Sequence, residues 1–433
     1  MNASSSRTLA ATCESCTTKI QGVAEMLLLS CCVRPVLTET IRFLPSEKLH
    51  DSITSTLRSI TQLSQTLVSN VHMISAKWIE ICDSVEELSS VLIKFMEIIC
   101  HACYLITVNF AKCTLAETGL IDKYSVCYSG LEIKLSCFRL KRTRIDELSP
   151  QIIIDLCSNI SKHIAVITDI CRTAGQNVKD EGLQDQFKLS VKSVTCAAGC
   201  LIASIKSYKS NPNITQHSRV MVFCEPVIAS SQALVSFATE KDFNGCEGSL
   251  TVQSRDVQKR ILGSCMSVVS ASIQLCKTVR DLTYDMITSH HRERLKSCTE
   301  AISHGAVKLV KIFDDYDINK LFSDYRAKQD EKSPDLSTLN DRFCSKQSLP
   351  FLPDMSLSSL HTLPMLPSPT LVSRSIDSSS TSSVETNSFL LYSEDEQSHS
   401  VNERNHGDQS NSQGHHSDNS TSFSSSENSL ASR

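Results

Sequence analysis

Two Cys-x-x-Cys pairs are the residues whose spacing could do chemistry: Cys13 with Cys16, in CESCTTKIQGVAEMLLLSCC, and Cys100 with Cys103. Four thiolates can hold zinc in a tetrahedron. Both pairs, however, lie in segments of helical period, where residues three apart share a face, and neither sits on a tight knuckle turn. The spacing therefore favours buried thiols on helix faces over a metal site. His290 and His291 are adjacent, so their side chains diverge by about 100° and suit a solvated helix start. His101 and His163 fall inside helical segments and are expected at the edge of a core. The phosphate-binding loop, the dinucleotide glycine fingerprint, HExxH, GxSxG and the EF-hand pattern are all missing. No catalytic residue, cofactor or metal ligand is expected, and the chain does not read as an enzyme.

Composition narrows the class further. Among 433 residues, 20 are Cys, scattered and often at positions an aliphatic residue would fill. Such thiols behave as small buried hydrophobes. With the polar start MNASSSRTLAATCESC, they point to a reducing, cytoplasmic setting. The apolar run after Gln21 contains Glu25 and is soon followed by Arg34 and Pro35. A spanning helix needs about 20 mostly apolar residues, so membrane insertion is not expected. The net charge of −4 divides unevenly: residues 331–433 hold 13 acidic and 6 basic residues, leaving 34 acidic and 37 basic in 1–330. A mildly basic body with an acidic tail lacks the footprint of a nucleic-acid binder.

What would position any site is a set of helices. Val257, Ile261, Ser264, Val268, Ser272, Leu275, Val279 and Leu282 step by threes and fours, as do Leu183, Phe187, Val191, Val194, Ala198, Leu201, Ile205 and Tyr208. Nine helices are predicted, near 9–32, 46–76, 84–113, 119–142, 149–175, 180–210, 217–240, 252–283 and 289–316. Ser149 before Pro150 reads as an N-cap followed by the residue best suited to the first helical position. Residues 1–8 and 319–433 are expected to be disordered, the latter being rich in Ser, Asn and Pro.

Specific strings carry a resemblance. CESCTTKIQGVAEMLLLSCCVRPVL, QFKLSVKSVTCAAGCLIASIK, ALVSFATEKDF, RILGSCMSVVSASIQLCKTVRDL and HHRERLKSCTEAISHG resemble the talin rod-like helical bundle family. The resemblance spans roughly residues 9–312. It implies an all-α fold with a four-helix bundle inserted into a five-helix bundle, followed by a disordered tail. Residues 9–118 and 252–318 would form the five-helix bundle, and 119–250 the insert. It implies a homodimer, formed through the inserted module, that binds and bundles F-actin in the cytoplasmic actin cytoskeleton.

Two residue patterns are tied to that expectation. In the segment after Pro226, apolar side chains cover about 180° of a helical wheel, more than one core requires; Phe237, Ile228 and Val235 are the candidate dimer contacts. Between Arg255 and Lys311 there are ten basic and five acidic residues. Arg255, Lys259, Arg260, Lys277, Arg280, Arg292, Arg294 and Lys296 are the candidate actin-binding cations, since an acidic filament attracts such a face. The alternative is an adhesion or signalling adaptor that holds amphipathic partner helices in its grooves or recruits proteins through its tail.

Overall fold

The computed structural model describes residues 1–332, apart from Asn2, Phe43, Ser46, Glu47, Asp146 and residues 286–288. The tail expectation for 333–433 lies outside the described residues. Every long described element is helical: α1 (Ala3–Ala24, extended by a π-helical turn Glu25–Leu29), the short α2 (Glu39–Arg42), α3 (Leu49–Val71), α4 (Trp78–Val108), α5 (Lys123–Arg142), α6 (Pro150–Asn177), α7 (Glu181–Ser210), α8 (Ile214–Ala238), α9 (Val252–Leu282), α10 (Ser289–Asp314) and α11 (Ile318–Lys332). No strand occurs among them.

Two of the sequence boundaries are corrected. Residues 3–8, expected to be disordered, open α1, because Ser5 and Leu9 both pack inward and continue the helix's buried stripe. Residues 318–332, assigned mostly to the tail, form α11, whose Ile318, Phe322 and Tyr325 are buried at spacings of four and three.

Two separate cores explain the architecture. The first gathers apolar residues of α1, α3, α4, α9, α10 and α11, from the two ends of the described chain. The second is built only from the intervening stretch, Ile121 to Phe243, on α5–α8 and their flanks. A four-helix bundle is thus inserted into a bundle of five long helices. At the centre of the larger bundle lies α4, buried without interruption from Phe95 to Val108. Its neighbours are α1, α3, α9 and α11. A helix apolar on every side must be covered on every side, and these neighbours, α11 among them, do so.

Local chemistry sets the helix starts. The Ser149 hydroxyl accepts from the Ile152 amide at 3.3 Å with Pro150 next to it; Asp122, Asp180, Asn213 and Thr251 cap α5, α7, α8 and α9 in the same manner. These side chains satisfy amides that a first turn leaves unpaired.

The two crossings between modules run side by side. The Thr114 amide donates to Ser249 O at 3.1 Å, Glu117 to Cys246 O at 2.9 Å and Ile121 to Phe243 O at 3.0 Å. Gly245 adopts a positive φ of 64°, and a Cβ on Gly119 would stand 2.3 Å from the Asn244 backbone, so glycine is required at both points. Arg34 donates to the carbonyls of Asn244 and Gly245, tying the larger bundle to the crossing.

Candidate functional site

Three surfaces could carry function: the cationic faces of α9 and α10, the outward faces of α7 and α8, and the junction between modules.

The eight cations singled out from the sequence do not form one patch. α9 and α10 pack closely, with Gly305 of α10 against Val268 of α9. This places the start of α9 beside the end of α10. Arg255, Lys259 and Arg260 are exposed there, and Arg260 shares a shallow open cleft of about 330 Å³ with Lys308, Lys311, Ile312 and Asp315. Lys277, Arg280, Arg292, Arg294 and Lys296 lie toward the other end. Lys259 and Lys277 are 18 residues apart on one helix, about 27 Å at 1.5 Å per residue. Three of the five far cations are paired with carboxylates. Arg280 donates to Asp281 at 2.8 Å, Arg294 approaches the same carboxylate at 3.7 Å and Lys296 meets Glu300 at 3.8 Å. The hydrogen bond to Asp281, foremost, raises the Arg280 pKa.

The near group is therefore the open cationic surface. Lys308 and Lys311 complete it. Their contribution to the local charge balance was visible in the sequence, but their juxtaposition with Arg260 depends on the antiparallel pairing of α9 and α10.

The candidate dimer contacts are placed differently from the wheel's suggestion. Ile228 is buried in the core of the insert, out of reach of a partner. Val235 packs against α5 at Gly130, where an added Cβ would lie 2.9 Å from Val235 Cγ2. Phe237 is half-buried, its ring 4.6 Å from Phe187 and 5.4 Å from Phe243. The apolar surplus on that side of α8 is absorbed within the module, by α5 and by the three-phenylalanine cluster.

The outward faces of these two helices instead carry stripes of small and apolar residues in the open, bordered by Lys188, Lys192, Arg219 and Glu225. On α7, Leu189, Ser193, Cys196, Cys200 and Ala203 are all exposed and step by 4, 3, 4 and 3. On α8, Ile214, Ser218, Val222, Pro226, Ala229 and Ala233 are exposed and step by 4, 4, 4, 3 and 4. Leu189, Ile214 and Val222 are 67%, 70% and 65% exposed. A Cβ added at Gly199 would meet nothing within 4 Å. α7 and α8 are long and apolar enough to cross a membrane by length and composition, yet only 28% and 33% of their most apolar windows are buried; the corresponding window of α4 is 89% buried. The signal for this face was present in the sequence as a second stripe of small residues behind the core stripe. It was missed because small residues score weakly as apolar.

The junction holds two buried carboxylates. Lys19 of α1 pairs with Glu132 of α5, which also accepts from Asn159 at 3.1 Å. Burial pushes the Glu132 carboxyl up, but the Lys19 charge and these hydrogen bonds outweigh it and leave its pKa lowered. The Tyr124 hydroxyl donates to Glu97 at 2.8 Å, and here burial prevails and raises the Glu97 pKa. Arg7 meets Glu147 at 2.5 Å, and Arg142 meets Glu14 at 3.5 Å, at the rim.

The paired cysteines act as apolar packing. Cys13, Cys16, Cys100 and Cys103 are buried on helix faces, and the Cys100 thiol approaches Leu27 O at 3.7 Å. Burial pushes the Cys16 thiol up to about 12. Among the described residues no group of three or more His, Cys, Asp or Glu side chains is arranged to hold a metal ion.

Comparison with known proteins follows this geometry. The family model described as the Talin IBS2B domain matches residues 45–241, from α3 through the whole of α8. Talin-1 of Gallus gallus is 22% identical over 282 residues, 63% of this chain and 11% of that protein. Talin of Oscarella pearsei is 22% identical over 236 residues, covering 54% and 9%. Talin-2 of Mus musculus is 22% identical over 195 residues, covering 45% and 8%. The chain thus spans about a tenth of the length of these relatives.

Proposed function

We propose, for a chain that is a talin rod-like helical-bundle protein, a non-enzymatic role in the cytoplasmic actin cytoskeleton: binding and bundling F-actin as a homodimer. Bundling needs two filament sites per particle, and a chain with one such site acquires the second by pairing with its copy. The observation that carries this reading is the division of surfaces between modules. The open cations Arg255, Lys259, Arg260, Lys308 and Lys311 lie on the larger bundle, whereas the open stripes of small and apolar residues on α7 and α8 lie on the insert. An acidic filament is attracted by the first surface, with strong salt dependence. Small exposed residues on the second allow helix backbones of two copies to approach closely.

The sequence candidates are redistributed by this reading. Phe237 keeps a part, at the seam of α7 and α8, while Leu189, Cys200 and Val222 take the places of Ile228 and Val235. Arg255, Lys259 and Arg260 remain the filament contacts, joined by Lys308 and Lys311.

Sedimentation tests this directly. Leu189→Asp with Val222→Asp should halve the particle mass in light scattering, preserve filament pelleting at high speed and abolish bundle pelleting at low speed. Lys259→Glu with Arg260→Glu and Lys308→Glu should abolish both. Undiminished bundling by either variant would defeat the assignment of that surface. The adaptor reading is favoured by one feature, the seating of α11 against α3 and α4; a chain that leaves filaments in the supernatant at physiological salt would favour it.

A further inference from the structure

The five-helix frame is complete at Asp314, yet a further helix follows it after only residues 315–317. α11 packs on α4 and α3 through Ile318, Phe322 and Tyr325, the i, i+4 and i+7 positions of one face. The described side chains of its other face, Lys320, Ser323, Asp324, Arg326, Ala327 and Lys328, are exposed. Such a helix is amphipathic and docks by a few apolar anchors, the way a bound partner helix does.

The floor beneath it is unusual. The His101 ring meets Phe322 edge-on at 5.7 Å and Tyr325 at 6.4 Å; Tyr104 meets Tyr325 at 5.7 Å. His101 is 1% exposed, and neither ring nitrogen has a hydrogen-bond partner. A buried donor or acceptor left unpaired opposes the arrangement that buries it. α11 brings aromatic edges to the imidazole and leaves both its nitrogens unpaired, although Tyr325 hydrogen-bonds Tyr104 beside it. The polar contacts at its rim are long: Arg326 to Arg42 O at 3.5 Å and Lys328 to Asn109 at 3.3 Å.

We propose that α11 is a displaceable latch that occupies, in cis, a docking groove between α3 and α4. Its competitor is an amphipathic helix of another protein. That helix carries bulky apolar anchors at i, i+4 and i+7, with a hydroxyl or carboxylate that reaches His101. Satisfying the imidazole gives such a helix an advantage that α11 lacks. The short connection keeps the released α11 close, so it returns when the partner leaves and keeps weak competitors out. The latch is independent of filament binding and stands whether or not the chain bundles actin.

A labelled peptide of residues 315–332 is the probe. It should bind the full chain carrying Phe322→Asp and Tyr325→Asp at least tenfold more tightly than the unaltered chain, because the variant's groove is empty. Equal affinity for the two chains, or no binding to a variant that keeps its helical circular dichroism, would overturn the proposal. So would loss of dimer mass in that variant, since α11 would then be exchanged between copies. Hydrogen exchange on the unaltered full chain supplies an arm that needs no variant. Amides of α11 should exchange at least a hundredfold faster than those of α4, and matched protection would refute the latch.

Discussion

The larger bundle and its insert solve the same packing problem with different numbers of helices. In the first, α4 is enclosed from Phe95 to Val108, and its long apolar run is used up inside the chain. In the insert, each of four helices keeps an outward side, and on α7 and α8 that side carries Leu189, Ile214 and Val222 in the open. Apolar composition therefore means different things in the two modules. In one it is core; in the other, part of it lies open on the surface.

The contrast can be broken most forcefully at Phe95, which is fully buried in α4. Phe95→Ala should cost about 3–5 kcal/mol in urea denaturation, the usual penalty for removing an aromatic core side chain. A loss below about 1 kcal/mol would mean that α4 is not the sealed centre.

Next in size comes the junction. Lys19→Met leaves Glu132, 7% exposed, buried opposite a neutral group. Breaking a buried ion pair costs about 3–5 kcal/mol; with Lys19 one-quarter exposed, about 2 kcal/mol is expected after allowance for solvent screening. Adding Glu132→Gln should recover part of it. A double-mutant cycle with no coupling would show that the modules are held by other contacts.

A smaller effect separates two buried histidines. His163 bonds Ser129 at 3.2 Å, whereas His101 has no partner. Burial, with a minor contribution from Arg326, lowers the His101 pKa from 6.5 to about 4. The folded state thus binds fewer protons than the open state between those values, so stability falls as pH drops from about 6.5 toward 4. By pH 5.5 the loss should be about 1 kcal/mol. Tyr104, Tyr325 and Arg326 surround this group. Melting curves of the unaltered chain and His101→Phe should diverge as the pH is lowered; parallel curves would exclude His101 as the cause.

The smallest stability change belongs to the open faces. Leu189→Asp should alter folding free energy by no more than about 0.5 kcal/mol, as surface substitutions usually do, while changing the mass of the particle. A large destabilisation without a mass change would assign Leu189 to the fold instead.

Much of this was legible from spacing. The stripes Cys13, Cys16, Ile20, Val23 and Val257, Ile261, Ser264, Val268 name their helices and buried sides without reference to the rest of the chain, because a period near 3.6 is a property of one segment. The caps at Ser149 and Asp180 are equally local. α11 was hidden because its three anchors lie among charged residues just ahead of a Ser-rich tail, too few to set a period. α1 was started late because ASSSRT is polar, although Ser5 is buried.

The chain's own order of residues determined that it is helical, where most helices lie, and that Cys13, Cys16, Cys100 and Cys103 sit on buried helix faces. Only the tertiary structure decided that Arg260 meets Lys308 and Lys311 while Arg280 is spent on Asp281, that Ile228 faces inward while Val222 faces out, and that α11 lies over His101. The reason is physical. Periodicity records the faces a helix possesses, but whether a face is covered depends on neighbours that arrive from distant parts of the chain.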